Sequence, residues 1–263
     1  MPERVSPRRY RARVEYDGTD FAGFQVNPGR RTVQGVLEDA LANLGNGEGG
    51  RVDGAGRTDA GVHATGQVIA FPYGGRLGTT ELEKALDALL PPDVTIRSLR
   101  RASASFNPRF AARYREYRYT VWNGPRSPLR ERQALGVRIP LDTAAMERAG
   151  SAFIGRHDFA TFGASDRSTV RTVMAVRVRR DGRVVTIDVR ADAFLRGQVR
   201  RMVACLLEVG LGKMDIEAVR SALAGPGPAL GGASAPAKGL CLRRVVIRRP
   251  SEARTDDGAD EER

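Results

Sequence analysis

The sequence predicts an α/β protein made of two successive α/β units. Segments in which apolar and polar residues alternate, typical of strands, are interspersed with segments whose apolar residues recur every three or four positions, typical of helices. Such a series occurs once before and once after a basic, aromatic stretch at residues 106–122. The chain has 263 residues, of which 41% are hydrophobic and 28% charged. This length suits two ordinary domains, and this composition is typical of a globular protein.

The first unit begins with a strand and a helix. Residues 11–16 alternate between polar and apolar side chains, which predicts a strand. Apolar residues at helical spacing over 33–44 predict a helix that ends at Gly45. A glycine-rich stretch at 54–66 then leads into a short apolar strand at 67–71.

A second helix completes the first unit. Thr80 and Glu83 have the spacing of a capping box, and apolar residues follow them at helical spacing. Two prolines at 91–92 end this helix. The sequence therefore predicts a basic N-terminal arm at 1–9 and an N-terminal α/β domain at 10–105.

The second unit starts within the basic stretch, whose second half is predicted to form a strand. Asp142 is placed to cap a helix that contains Met146, Ala149 and Phe153. Asp181 and Gly182 stand between two alternating segments, which is a strong signal for a β-hairpin.

The remaining segments predict two helices, a loop and a closing strand. Helical spacing is found over 195–206 and 216–223, the composition of 225–239 favours a flexible loop, and 240–248 is predicted to be a strand. The predicted boundaries are 106–249 for the C-terminal domain and 250–263 for an acidic, disordered tail.

The net charge of the chain predicts a polyanionic partner. The chain carries +12, and the six acids and two arginines of its last 13 residues contribute −4, so the first 250 residues carry +16. Nucleic acid is the commonest polyanion for such a protein. Forty of the 43 basic residues are arginines, which suit phosphate contact and base stacking. A coding bias would also explain this preference for arginine, although not the net charge.

Metal, disulfide and membrane functions are not predicted. Cys205 and Cys241 are too few for a disulfide framework and are expected to be reduced, and His63 and His157 show no ligand spacing with them. No apolar stretch approaches the ~18 residues of a membrane span. The N-terminus lacks the apolar region of a secretory signal. We expect a cytoplasmic protein without a metal.

The sequence GAGRTDAG at 54–61 permits three interpretations. It is a tight structural turn, a loop that binds a nucleotide phosphate, or a loop that positions a reactive carboxylate. The phosphate interpretation lacks support, because no lysine follows the glycines. Asp59 favours the third interpretation, since a carboxylate beside Arg57 in a short constrained loop suits a nucleophile or a general base.

Two tyrosines of the basic stretch are also ambiguous. Tyr117 and Tyr119 share one face of the predicted strand and are either core aromatics or rings that stack on a base. In the second interpretation, the surrounding arginines hold the RNA backbone: Arg109, Arg113, Arg115 and Arg118.

Three other candidates have plain interpretations. His63 is predicted to be a hydrogen-bonded loop residue and His157 to lie in a capping turn after a helix. Arg196 and Arg200 form a solvated helix face unless a carboxylate requires a partner.

Seven segments together resemble the tRNA pseudouridine synthase A family, in the order seen in that family. They are YDGTDFAGFQ (16–25), RTVQGVLEDAL (31–41), GAGRTDAGVHATGQV (54–68), FNPRFAARYREYRY (106–119), HDFATF (157–162), FLRGQVRRMV (194–203) and APAKGLCL (235–242). The resemblance implies the pseudouridine synthase fold of the α+β type, in which two similar α/β halves share a curved, mixed, largely antiparallel sheet around a catalytic cleft. It also implies a homodimer that converts uridine to pseudouridine at positions 38, 39 and 40 of the tRNA anticodon stem-loop, without a cofactor.

The resemblance assigns four site residues. It implies that Asp59 is the catalytic aspartate, that Arg200 is its basic partner, that Tyr117 packs on the target base, and that Arg57 lies near the space that the base vacates. The sequence departs from the family at Gly197–Gln198, and also at Phe24 and Cys241, where the family commonly has Trp and Tyr. A catalytically silent RNA-binding protein of the same fold is the alternative.

Overall fold

A computed structural model describes residues 7–45, 50–164, 168–225 and 234–248. These residues form ten strands and six α-helices. In chain order the elements are β1 (Arg8–Tyr16), α1 (Val33–Leu44), β2 (Asp53–Gly54), β3 (His63–Tyr73), α2 (Thr79–Leu89), β4 (Val94–Arg101), α3 (Pro108–Ala111), β5 (Ala112–Asn123), β6 (Leu135–Val137), α4 (Thr143–Ser151), β7 (Gly155–Asp158), β8 (Val170–Asp181), β9 (Val184–Ala191), α5 (Gln198–Gly210), α6 (Ile216–Ala224) and β10 (Leu240–Ile247).

All ten strands belong to one sheet. Its main order is β4-β1-β3-β10-β5-β9-β8-β7, while β2 pairs with β3 and β6 pairs with β5. The pairs β3–β10 and β5–β6 are parallel, and the other pairs are antiparallel. The predicted mixed, largely antiparallel sheet is therefore confirmed. Because β10 lies between β3 and β5, a strand from the end of the chain joins the two predicted halves.

The core follows from the alternation that predicted the strands. In β1 the buried residues are every second one, from Tyr10 to Tyr16, and in β5 the same period buries the side chains from Arg115 to Val121. The apolar stripes of the helices pack on these residues in one hydrophobic cluster. The division into domains at residues 105 and 106 stays a prediction.

The predicted capping box of α2 is wrong. The N-cap is Gly78, and the carboxylate of Glu81 accepts a hydrogen bond from its N–H at 2.9 Å. Glu83 instead accepts hydrogen bonds from the N–H groups of Ser98 and Leu99, at 3.0 and 2.9 Å. Glu83 thus ties α2 to β4, because β4 presents free backbone donors to it.

Other predicted helix ends and turns are confirmed. Gly45 is the C-cap of α1, and Asp142 accepts the capping hydrogen bond of α4 from the N–H of Ala145 at 2.8 Å. Gly182 has a φ of 54°, as the tight hairpin between β8 and β9 requires.

Several boundaries differ from the prediction. Helix α5 begins at Gln198, because Gly197 before it has a left-handed φ of 73°. His157 lies in the edge strand β7 and not in a capping turn. β1 starts at Arg8, so Arg8 and Arg9 of the predicted arm belong to the sheet. Residues 1–6, the acidic tail and most of the predicted loop at 225–239 lie outside the described residues.

Candidate active site

The glycine-rich loop between β2 and β3 is attached to the sheet at its start. The N–H of Ala55 donates to the carbonyl of Val68 at 2.8 Å. The buried side chain of Gln67 donates to the carbonyl of Gly56 at 2.6 Å and accepts from its N–H at 3.3 Å. A single amide side chain therefore satisfies both backbone groups of Gly56.

The residues on either side of Asp59 are held by the segment that follows β1. The hydroxyls of Thr58 and Tyr16 are 2.8 Å apart, and the carbonyl of Thr58 accepts from the N–H of Phe24 at 3.0 Å. This approach requires a glycine at position 23, whose φ is 105° and where a Cβ atom would lie 2.9 Å from the carbonyl oxygen of Thr58. Gly61, with a φ of 76°, donates to the carbonyl of Phe21 at 3.2 Å.

Asp59 faces an arginine from the second half of the chain. Its Oδ2 lies 3.7 Å from Nη1 of Arg200, in the first turn of α5, and both side chains are partly exposed. Arg200 Nε donates to the carbonyl of Ala235 at 2.7 Å, and the N–H of Ala235 donates to the carbonyl of Arg200 at 3.0 Å. Arg200 is thus fixed through Nε, while Nη1 faces the carboxylate.

Tyr117 lies on the buried face of β5, beside the glycine-rich loop. The side chain is buried, and its ring packs edge-on against Phe194 with the ring centroids 5.3 Å apart. A Cβ atom on Gly56 would lie 3.8 Å from the Tyr117 hydroxyl. Burial raises the pKa of this hydroxyl; the positive charge of Arg115 opposes the rise, and the negative charge of Asp59 adds to it. The hydroxyl is therefore protonated at neutral pH.

Arg115 does not hold the RNA backbone, so that interpretation of it is wrong. Its side chain is buried and donates to three backbone carbonyls: to Ala55 from Nε at 3.0 Å and from Nη2 at 2.7 Å, to Asp192 from Nη1 at 2.6 Å, and to Arg109 from Nη2 at 2.8 Å. The reason is its register, since Arg115 shares the buried face of β5 with Tyr117. Arg115 therefore joins the glycine-rich loop to the second half.

The other arginines of the basic stretch differ among themselves. Arg118 makes two hydrogen bonds with the carboxylate of Asp188, at 2.7 and 2.9 Å, on the opposite face of β5. Arg109 and Arg113 are exposed. Arg57, at the tip of the glycine-rich loop, is also exposed and forms no ion pair with another described residue.

His63 is a hydrogen-bonded residue, as predicted, although it begins β3 and does not lie in a loop. Its Nδ1 accepts from the N–H of Gly18 at 3.1 Å. Nε2 lies 2.9 Å from the carbonyl of Arg132 and 3.1 Å from that of Lys238. Because both groups are acceptors, Nε2 carries the proton. His63 thereby connects the start of β3 with Lys238. Lys238 lies three residues after Ala235, which binds Arg200.

Sequence reasoning did not single out Phe194 or the supporting role of Arg115. Phe194 precedes α5 and had no periodicity of its own, whereas the alternation of Arg115 with Tyr117 and Tyr119 was a usable signal. The described residues contain no group of three His, Cys, Asp or Glu side chains able to hold a metal ion. They contain no helix long and apolar enough to span a membrane.

The protein is basic, and a carboxylate in its glycine-rich loop faces an arginine from the other half of the sheet. These are the features of an enzyme that acts on a polyanion. Residues 12–111 and 149–246 match the profile of a family described as tRNA pseudouridine synthase. The chain is 45% identical over 236 residues to tRNA pseudouridine synthase A of Geobacter sulfurreducens, which covers 88% of this chain and 96% of that protein. It is 42% identical over 243 residues to the protein of that name from Brevibacillus brevis. This alignment covers 91% of this chain and 99% of that protein. The chain belongs to the tRNA pseudouridine synthase family.

Proposed function

We propose that this protein isomerises uridine to pseudouridine in tRNA, at positions 38, 39 and 40 of the anticodon stem-loop, and that it acts as a cytoplasmic homodimer. Family membership supports the reaction and the class of substrate. The resemblance supports the three positions and the dimer. The observation that carries the proposal is the approach of Asp59 Oδ2 and Arg200 Nη1 to 3.7 Å, because a carboxylate facing a fixed cation is the group that the chemistry requires.

The reaction rearranges bonds without adding or removing atoms. The N1–C1′ bond breaks, the uracil rotates, C5 bonds to C1′, and the proton on C5 is lost while N1 gains one. No electron acceptor, phosphoryl donor or metal is needed for this balance. Asp59 acts either as a nucleophile toward the sugar or the uracil, or as the base that removes the 2′ proton. Either role requires the ionised carboxylate.

Access to the uridine requires base flipping. A base inside a duplex cannot reach Asp59, so the nucleotide is extruded at a cost of a few kcal/mol. Arg57 is exposed at the loop tip and is suited to occupy the space that the base leaves. Tyr117 lines the loop beside Gly56 and supplies an aromatic surface for the extruded uracil.

Arg200 holds a positive charge in a fixed position opposite Asp59. The guanidinium has one nitrogen bound to the Ala235 carbonyl, so its approach to Asp59 has little freedom. A charge placed in advance within a partly closed site stabilises developing charge without reorganisation during the reaction.

Three backbone donors of the loop are not available for the alternative of nucleotide binding. In a phosphate-binding loop the backbone N–H groups point at the anion. Here the N–H groups of Ala55, Gly56 and Gly61 donate to Val68, Gln67 and Phe21 respectively. These donors are therefore occupied by the protein itself.

The test is release of tritium from tRNA labelled with [5-³H]uridine, without added nucleotide or metal. Release is expected for the wild-type protein and not for Asp59→Asn. The three positions are tested by mapping pseudouridine in tRNA from cells with and without the protein. Tight tRNA binding without tritium release would instead support the silent RNA-binding protein.

A further inference from the structure

Phe110 is an aromatic side chain that the mechanism does not use. It lies in the short helix α3 and is 71% exposed. It is the only aromatic among the large apolar side chains that are exposed in the described part of the chain: Val26, Leu89, Phe110, Leu129, Ile139, Ile154 and Met174. A single exposed apolar side chain is ordinary on a protein surface, so what Phe110 can bind depends on its surroundings.

The exposure of Phe110 is imposed by a well-anchored turn. Asn107 caps the turn, since its Oδ1 accepts from the N–H of Arg109 at 3.0 Å, and its carbonyl accepts from the N–H of Ala111 at 3.0 Å. The carbonyl of Ala111 accepts from the N–H of Arg248 at 2.8 Å. The ring is thus presented by fixed backbone, which lowers the entropy lost when it binds a ligand.

The turn lies beside the glycine-rich loop. Arg115 Nη2 donates to the carbonyl of Arg109, immediately before Phe110, and also to the carbonyl of Ala55, four residues before Asp59. Two carbonyls that share one nitrogen are close neighbours. The backbone of α3 therefore adjoins the start of the loop that carries Asp59, on the side from which Arg115 holds that loop.

The surroundings of Phe110 are cationic. Arg109 and Arg113 on either side of it are exposed, and so is Arg57 at the loop tip. The nearby carboxylate of Asp53 is paired with Arg9 at 2.6 Å. A single ring among arginines lacks the broad apolar area of a protein interface or of a membrane-binding face. It does match RNA, whose bases stack on single aromatic rings while arginines contact the phosphates.

We propose that Phe110 stacks on a nucleobase of the substrate RNA outside the Asp59 site, next to the uridine that is extruded. The proposal rests on the proposed function only in taking RNA as the ligand. Because every base has a flat π face, this contact fixes the position of the RNA and is tolerant of sequence. Phe110 is then a substrate-binding residue and not a catalytic one.

The test measures equilibrium binding and single-turnover isomerisation of an anticodon stem-loop RNA by four proteins. Phe110→Leu keeps an apolar side chain but removes the ring, and it is expected to weaken RNA binding about tenfold while the rate at saturating RNA changes less than about threefold. Phe110→Trp is expected to bind as tightly as wild type. Ile139→Ala, which truncates a side chain that is 61% exposed at the other end of β5, is expected to change neither quantity.

A spectroscopic measurement identifies stacking itself. With 2-aminopurine placed on either side of the target uridine, wild type and Phe110→Trp are expected to change its fluorescence on binding, whereas Phe110→Leu loses this change at one of the two positions. Unchanged RNA affinity in Phe110→Leu, or equal losses in Phe110→Leu and Phe110→Trp, would overturn the proposal. If wild type binds RNA without releasing tritium, the proposed function fails while the binding comparison still decides the role of Phe110.

Discussion

The glycine-rich loop and the surface of the second half that meets it contribute different groups to the site. The loop offers carbonyl oxygens, of which those of Ala55 and Gly56 accept from the side chains of Arg115 and Gln67. The second half offers guanidinium groups, with Arg115 on the loop backbone and Arg200 at the carboxylate. A loop with few side chains of its own thus takes its position from residues distant in the sequence.

The largest effect is expected where the two regions meet. Asp59→Asn keeps the size of the side chain but removes the charge, so turnover should fall by at least several orders of magnitude, each tenfold loss being about 1.4 kcal/mol. Folding should persist, because residues other than Asp59 hold the loop, and tRNA affinity should persist, because a carboxylate repels RNA. Single-turnover assays, binding curves and melting curves check this, with Asp39→Asn on the exposed face of α1 as the matched control. A tenth of wild-type turnover in a folded variant would contradict it.

Removing the cation without removing the carboxylate separates their roles. Arg200→Met should lower the single-turnover rate by roughly 10²–10³-fold, as for the loss of one preorganised charge. Arg200→Lys retains a charge without the fork that binds both Ala235 and Asp59, and should show an intermediate rate. Arg196→Met, at an exposed position just before α5, is the control. Equal rates for the Met and Lys variants would mean that the charge of Arg200 is not what matters.

The structural arginine should affect stability more than chemistry. Arg115→Met leaves the carbonyls of Ala55, Asp192 and Arg109 without their donors, and should lower the free energy of unfolding by about 3 kcal/mol. Denaturant melts measure this loss. Arg118→Met removes an ion pair with Asp188 of β9 on the opposite face of the sheet, and should lower the free energy of unfolding by about 1 kcal/mol or less. A larger loss for Arg118→Met than for Arg115→Met would contradict the comparison.

The smallest effect is expected for the aromatic group of the second half. Tyr117→Leu should raise the activation barrier by about 2 kcal/mol and so lower turnover roughly 30-fold, since stacking is worth about 1–3 kcal/mol. It should change tRNA affinity little, since phosphate contacts dominate binding. Burial raises the pKa of the Tyr117 hydroxyl, so it remains protonated and neutral through pH 6–10. The pH–rate profiles of wild type and Tyr117→Phe should therefore be parallel over that range. A limb below pH 10 that disappears in Tyr117→Phe would show that the hydroxyl titrates.

Local patterns predicted the elements, and the resemblance predicted the site residues. The hairpin at Gly182 and the cap at Asp142 follow from contacts within a few residues, which a sequence displays directly. The approach of Arg200 to Asp59 could not follow from periodicity, because it depends on how two halves of a sheet meet. It was implied only by matching segments to a family.

The errors had physical causes of the same kind. Counting Arg115 with its neighbours as an RNA contact treated charge as a sign of exposure, although its position in β5 already placed it on the buried face. The capping box at Thr80 and Glu83 matched in spacing, but the carboxylate of Glu83 found donors in β4. Both residues bind backbone groups of a distant segment.

The position of β10 has a consequence for the order of events during synthesis. β3 and β5 have no common neighbour until residues 240–247 insert between them. While the ribosome is still adding those residues, the nascent chain presents an unpaired edge on each half, which is a hazard for aggregation. Arg200 approaches Asp59 across that seam, where Arg115 also binds the loop, so a chain interrupted before residue 240 would lack the strand that pairs with both halves. We therefore expect catalytic competence only once β10 is in place.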